Sequence, residues 1–254
     1  MVTEPAYGVD WARGQWLVIS LTRTDDITVD VEPDFEALME TTGGSQVVVD
    51  VPIGLLEERD RGGDEPVRRQ CDVAARKYIG PRYRSVFPAP SRPAAHRAAD
   101  DRPYDEVADM NQVVTGKRIT QQAYHISKAI AEVDVYMLKT DSAETVLEGH
   151  PEVCFRAFKG DYLRHSKTSA AGVGERLTAL ESVLNDPAKL LHDALTELEG
   201  TEHKVQVDDV LDAIALAATA HEPVDDLCSL PETEDPPKDV RGIPMQMVYR
   251  PVKN

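Results

Sequence analysis

The sequence predicts an α/β domain on a mixed five-stranded sheet, three antiparallel strands then parallel ones, flanked by helices and carrying a largely helical insertion. Three observations lead there. Three short β-rich runs follow one another near the start, an all-apolar run at 47–49 comes after a short helical pattern, and a helix apolar on both sides stands at 206–220. Strands joined by hairpins pair antiparallel. Strands joined through a helix can pair in parallel, and a strand apolar throughout is buried on both faces.

In order along the chain, residues 6–10 and 15–22 are β-rich runs separated by W-A-R-G, whose Arg13-Gly14 step suits a hairpin turn. I-T-V-D-V at 27–31 follows the polar break T-D-D and alternates apolar with polar, as a half-exposed strand does. Pro33 and Asp34 open a helical pattern with Phe35, Leu38 and Met39 on one face, closed by Gly43 and Gly44. V-V-V-D-V at 47–51 is the fourth strand, giving the order β-β-β-α-β. From 57 to 145 Arg, Asp, Pro and Gly interrupt the pattern around two helical stretches near 66–79 and 119–138, which predicts an insertion within a single domain of residues 1–254. V-L-E-G-H-P-E-V-C-F-R-A-F at 146–158 reads as a fifth strand, followed by helices around 172–184 and 186–199. Val207, Val210, Leu211, Ile214 and Ala218 at helical spacing make 206–220 a strong helix. Residues 221–254 form a C-terminal loop and arm, in which I-P-M-Q-M-V-Y is a late strand or a packed arm.

The formal charge of −17 makes the surface as a whole repel nucleic acid at low salt, which counts against a simple DNA-binding module. A nuclease stays open, because bound metal and a local basic patch offset the average field, and molar salt confines that field to about 3 Å. Scattered acids, more arginine than lysine and few large aromatics resemble the proteins of salt-loving archaea, an expectation that full folding and activity without added salt would contradict. Cys71, Cys154 and Cys228 stand far apart, so neither a disulfide framework nor a zinc site is indicated, and they fit buried thiols in a reducing cytoplasm. The opening M-V-T-E-P-A-Y lacks the features of a signal peptide, and no apolar run approaches the roughly 20 residues of a membrane span, so the expectation is a soluble cytoplasmic protein without a membrane partner. G-x-x-x-x-G-K-[ST], G-x-G-x-x-G after a strand and G-x-S-x-G are absent, which sets aside the common phosphate-loop, dinucleotide and serine-hydrolase chemistries.

Four aspartates carry the chemical signal. Asp10 ends Y-G-V-D, Asp50 ends V-V-V-D, and Asp209 and Asp212 sit in D-V-L-D-A-I-A-L-A-A-T-A-H, each among core-like residues and none beside a basic residue in sequence. Carboxylates in apolar settings require a metal, an opposite charge or hydrogen bonds, so their convergence predicts divalent cations and metal-assisted phosphodiester hydrolysis. On parallel neighbouring strands Asp10 and Asp50 stand about 5 Å apart, which suits ions spaced about 3.5–4 Å. Asp209 and Asp212, three residues apart on a helix, face the same way. An oxygen-only ligand set favours Mg²⁺ or Mn²⁺ over zinc. The plainer alternatives are that Asp208 or Asp209 caps the helix and that Asp10 and Asp50 organise turns.

A second cluster is Glu148, His150 and Glu152, which share one side if the fifth strand is regular. Glu152 is then a candidate outer metal ligand or water-orienting base, against the alternative of an exposed strand end. Arg68, Arg69, Asp72 and Arg76 lie at helical spacing, and Ser85 and Arg92 flank F-P-A-P. Because arginine binds phosphate bidentately, Arg68, Arg76, Ser85 and Arg92, with Lys167, Thr168 and Ser169, are candidates for holding a scissile backbone. The alternative there is an Asp72–Arg76 pair on a solvated helix.

The β-β-β-α-β opening with aspartate on its first strand, and the late D-V-L-D-A-I-A-L-A-A-T-A-H, resemble the ribonuclease H-like superfamily, above all its Holliday-junction resolvase branch, whose last helix carries a similar D-x-x-D-A-L-A-x-A pattern. More closely, the chain looks like domain-of-unknown-function family four-twenty-nine, described as predicted ribonuclease H-like nucleases. The likeness runs through G-V-D-W-A at 8–12, D-V-P-I-G-L at 50–55, R-R-Q-C-D-V-A-A-R at 68–76, S-V-F-P-A-P-S-R at 85–92, H-P-E-V at 150–153, the late aspartate helix and R-G-I-P-M at 241–245. The resemblance implies a ribonuclease H-like fold, a nucleic-acid substrate and a metal site in which Asp10, Asp209 and Asp212 match the superfamily's acids. Asp50 stands where the resolvase branch often has glutamate, one carbon longer, and since resolvases act as dimers a homodimer is implied as well. Two functions of different class follow as expectations: a metal-dependent nuclease, or a non-catalytic nucleic-acid- or protein-binding regulatory module on the same scaffold, which the acidic surface favours. Phosphotransfer of the actin-like kind ranks behind both, since the chain is short of a second domain and of glycine-rich phosphate hairpins.

Overall fold

The computed structural model describes residues 5–22, 24–57, 66–140 and 145–252. β1 (Ala6–Ala12) and β2 (Gln15–Leu21) form a hairpin around Arg13 and Gly14, both at positive φ, 52° and 93°. Two left-handed residues match the twist of the flanking strands, and glycine takes that conformation without strain. β3 (Ile27–Glu32) pairs antiparallel with β2. α1 (Phe35–Thr42) starts where the Asp34 carboxylate accepts the Ala37 N–H and ends at Gly43, φ 59°. β4 (Val47–Val49) runs parallel to β1, and β5 (Val146–Glu148) parallel to β4. The strand order β3-β2-β1-β4-β5 is that of the ribonuclease H-like mixed sheet.

Between β4 and β5 the chain forms α2 (Gln70–Tyr78), a 3₁₀ turn (Gly80–Arg82), α3 (Arg92–Ala99), α4 (Tyr104–Thr115) and α5 (Gln121–Lys139). Residues 58–65 and 141–144 of the expected insertion lie outside the described residues. After β5 come α6 (Pro151–Lys159), α7 (Ala170–Leu180), α8 (Pro187–Leu198) and α9 (Val207–Ala220), then an antiparallel ribbon of β6 (Cys228–Leu230) and β7 (Met247–Tyr249). Among the described residues no helix is long and apolar enough to cross a membrane.

Strand alternation divides the core between the two faces of the sheet. Leu17, Ile19 and Val48 pack with Leu211, Ile214 and Leu216 of α9, whereas Val9, Val18, Val47 and Val49 pack with Phe35, Leu38, Ile130 and Met137 of α1 and α5. α9 lies hard on β1 because of Gly8: a Cβ there would stand 2.0 Å from the Ala213 carbonyl oxygen and 2.1 Å from the Ala217 nitrogen.

Three expectations change. The run 146–158 is not one strand: β5 ends at Glu148, and Pro151 enters the first turn of α6, a position that suits its fixed φ and missing N–H. α3 and α4 occupy chain that reads as irregular between the two expected helices. They are short, lie among prolines, and bury small residues, Ala94, Val107 and Ala108, against Ile119 and Ala123 in a satellite cluster with weak periodicity. The late I-P-M-Q-M-V-Y is both things at once, with Ile243 and Met245 packed and residues 247–249 forming β7.

Candidate metal centre

The parallel register of β1 and β4 builds the first half of the site. Val9 pairs with Val49, and the Asp50 N–H donates to the Val9 carbonyl at 3.0 Å. The next residues along, Asp10 and Asp50, therefore stand side by side at about one strand spacing, roughly 4.8 Å. Alternation places Asp10 on the same face as Gly8, where α9 crosses, and α9 brings Asp212 beside Ala213. Asp10 is 9% exposed and Asp212 3%.

The four aspartates are near enough for their charges to act on one another, although among the described residues no three of them have ligand atoms within 4.8 Å of one another. Burial pushes the Asp10 carboxyl well above the usual range, and the charges of Asp50, Asp212 and Asp209 add to it, with Lys167 opposing. Asp50 is raised by burial, with His150 and Lys167 opposing and Glu152 adding. Asp212 is raised to about 7 by burial against the pull of Lys167. Among the described residues, no hydrogen bond or ion pair reaches the carboxylate of Asp10 or Asp50. A largely buried carboxylate such as Asp10, with the half-buried Asp50 beside it and no protein donor to either among the described residues, fits a cation, and the oxygen-only donors fit Mg²⁺ or Mn²⁺.

Asp209 and Asp212 differ in their surroundings. Asp209 is half-buried, and its carboxylate accepts the Gln206 N–H at 2.9 Å as part of a capping box. Burial raises its pKa while that hydrogen bond opposes. Asp212 instead accepts Lys167 Nζ at 2.6 Å, and the same ammonium lies 3.3 Å from Asp208. Lys167, 45 residues away from Asp212 in sequence, is thus ion-paired with Asp212 and Asp208 and is not a free phosphate ligand.

Glu152 reaches the centre from the first turn of α6, not by strand alternation. His150 caps that helix, its Nδ1 accepting the Glu152 N–H at 3.2 Å. Glu152 Oε1 accepts Arg82 Nη2 at 2.9 Å and Arg176 Nη2 at 2.5 Å, while Oε2 is buried with no partner among the described residues. The role of Arg176, fully buried in α7, is invisible in sequence, because nothing near it marks a pair with Glu152 24 residues earlier.

Other expected site residues serve the interior. Glu148 accepts Arg69 at 2.8 Å and the Ile53 N–H at 2.7 Å. Arg69 also holds Asp72 and the Ile53 carbonyl, and Asp72 accepts the Ala89 N–H. Among the described residues, Cys71, Asp72 and Glu148 are the one trio of potential ligands with atoms within 4.8 Å of one another, and the Arg69 guanidinium already bonds both acids. Asp72 thus pairs with Arg69 and not with Arg76, which donates to the Val86 carbonyl. Arg92, expected at a phosphate, is buried against Glu57, Asp134 and Asp239, its donors spent inside the protein. Ser85 donates to the Arg82 carbonyl, Ser169 caps α7, Thr168 is exposed beside Ser166, and Arg68 is exposed just before α2.

A family model described as a protein of unknown function (DUF429) matches residues 8–236. The chain belongs to the DUF429 family. The match begins within β1, takes in every later element through β6 and all four aspartates, and ends before R-G-I-P-M at 241–245. No curated protein and no solved structure matches the chain. Several motifs of this DUF429 chain turn out to be interior ion networks: R-R-Q-C-D joins D-V-P-I-G-L and F-P-A-P through Arg69 and Asp72. Asp239, just before R-G-I-P-M, accepts the N–H groups of Leu55, Arg241 and Ile243.

Proposed function

We propose that this chain is a metal-dependent nuclease that hydrolyses phosphodiester bonds of nucleic acid, with Mg²⁺ or Mn²⁺ held by Asp10, Asp50 and Asp212. The observation that supports it most is Asp10, a largely buried residue whose carboxylate has no protein donor among the described residues and is raised by its own desolvation and by three other aspartates. A bound divalent cation supplies Lewis acidity toward a phosphoryl oxygen and makes water a stronger nucleophile near neutral pH.

The chain's residues divide the remaining work. Asp10 and Asp50 present oxygens from adjacent strand ends, and Asp212 closes the cluster from α9. Asp209 contributes charge while its capping bond fixes the helix start. Glu152 is anchored through Oε1 by Arg82 and Arg176, and its Oε2, buried in the free protein, orients a water only once substrate or metal opens room beside it. Lys167 neutralises Asp212 in the free protein and supplies positive charge to a phosphate when it leaves.

The test is cleavage of a panel of single-stranded, hybrid and branched nucleic acids with Mg²⁺ or Mn²⁺. Asp10→Asn and Asp212→Asn abolish cleavage while circular dichroism stays that of the parent, and Glu152→Gln slows it by about 10–100-fold. Unchanged activity in both aspartate variants removes this site. One observation favours a second reading, a non-catalytic binding or regulatory module: Asp212 already has Lys167, and Asp209 already caps a helix. Calorimetric Mn²⁺ binding with no hydrolysis across the panel supports that reading.

A further inference from the structure

Among the described residues, the exposed large apolar side chains include two aromatics, Tyr83 and Tyr162, each 41% exposed. They lie on one ridge. The Tyr162 ring covers Gly80, where a Cβ would stand 2.5 Å from Cε1, and Gly80 opens the 3₁₀ turn that leads into Tyr83. Each ring is flanked by guanidinium groups: Arg76 and Arg84 stand 5.1 and 5.7 Å from the Tyr83 centroid, and Arg156 stands 5.0 Å from that of Tyr162. Core packing does not account for two tyrosine rings this open.

The two segments that form this ridge are basic in a chain that is acidic overall. Residues 76–84 and 156–167 carry eight lysines and arginines against one acid, Asp161, in a chain with 45 acids and 28 basic residues. The fold pairs part of this charge, Arg164 with Asp161, Lys159 with Glu175, Arg82 with Glu152 and Lys167 with Asp208 and Asp212, which leaves Arg76, Lys77, Arg84 and Arg156 without an ion pair among the described residues. The ridge also leads to the aspartates: Arg82 bonds the His165 carbonyl at 3.1 Å and Glu152 at 2.9 Å, and Lys167 at its far end sits on Asp212.

We infer that this ridge binds an unpaired strand of nucleic acid, whose bases stack on Tyr83 and Tyr162 while its phosphates follow Arg82, Arg84 and Arg164 toward the aspartate cluster. Aromatic faces among arginines suit single strands, because every base offers a π-face and arginine adds a cation–π contribution. A duplex keeps its bases paired and leaves the two rings unused. The inference deepens the nuclease reading and rests on it for where the strand leads.

Fluorescence anisotropy in EDTA, which separates binding from cleavage, tests it with a labelled oligonucleotide of about 16 nucleotides, single-stranded or as a duplex of the same sequence. The parent protein binds the single strand more tightly than the duplex. Tyr83→Ala and Tyr162→Ala each weaken single-strand binding by about 5- to 150-fold, from the stacking of one base. Tyr83→Phe and Tyr162→Phe keep it, which separates lost stacking from lost folding. Arg84→Ala and Arg164→Ala weaken it and flatten its salt dependence. Equal affinity for the duplex, parent affinity in both alanine variants, or no binding of any strand overturns the inference. Strand binding without cleavage under Mg²⁺ removes the nuclease reading and leaves the ridge standing, whereas cleavage indifferent to both tyrosines does the opposite.

Discussion

At Asp10 the fold holds a carboxyl whose ionised form burial and three neighbouring aspartates all oppose. Asp212 shares the condition, its carboxyl raised to about 7 in the folded chain, against about 3.9 when unfolded. A carboxyl raised on folding binds more protons folded than unfolded, so the stability of the metal-free protein falls as pH rises from about 4 to about 7 and stays low above that. A divalent cation relieves that cost only where the carboxyls are ionised. Mg²⁺ therefore raises the melting temperature more near pH 8 than near pH 5, and equal shifts contradict this. Asp10→Asn removes that ionisable carboxyl with little change of shape; it stabilises the metal-free protein near pH 8 by about 0.5–2 kcal/mol in thermal melts and cancels most of the gain from Mn²⁺. Lys167 competes with metal for Asp212, so Lys167→Met tightens Mn²⁺ binding about tenfold by calorimetry; unchanged or weaker binding contradicts the competition. The aspartates are legible in sequence because charge among apolar residues is conspicuous. Their ion-pair partners are not, since Lys167 and Asp212, or Arg176 and Glu152, meet only through the fold.

Element boundaries follow local chemistry where that chemistry is strong. The Arg13-Gly14 hairpin, the Asp34 cap with its Gly43 stop, and α9 all lie where their residues predict. β5 and α6 divide at a proline that a strand pattern masks, and α3 and α4 carry too few large apolar residues to leave a periodic signal. The crossover elements are tied down by charge. Arg69 joins α2 to the end of β5 and to the loop after β4 through Asp72, Glu148 and the Ile53 carbonyl, all buried. Arg69→Met strands both carboxylates without a cation and destabilises the protein by about 3–5 kcal/mol in denaturant titration. A loss of only a few tenths shows that the network does not hold the insertion.

For the whole molecule, strand order and direction were legible because hairpins and a helical crossover leave few ways to arrange five strands. The likeness to known sequences was legible too, but much of what carries it is interior: Arg69, Asp72, Arg92 and Asp239 link the insertion and the C-terminal arm to the loop after β4. The net charge of −17 conceals a basic ridge that appears only when residues 76–84 and 156–167 are brought together. The proposed centre lies at the end of the sheet where Asp10 and Asp50 leave adjacent strands beside α9, which carries Asp212. Anomalous diffraction from crystals soaked in Mn²⁺ tests that point most directly. The account predicts a peak enclosed by Asp10, Asp50 and Asp212, with Lys167 displaced from Asp212; no peak there, or one only beside Cys71, Asp72 and Glu148, contradicts it.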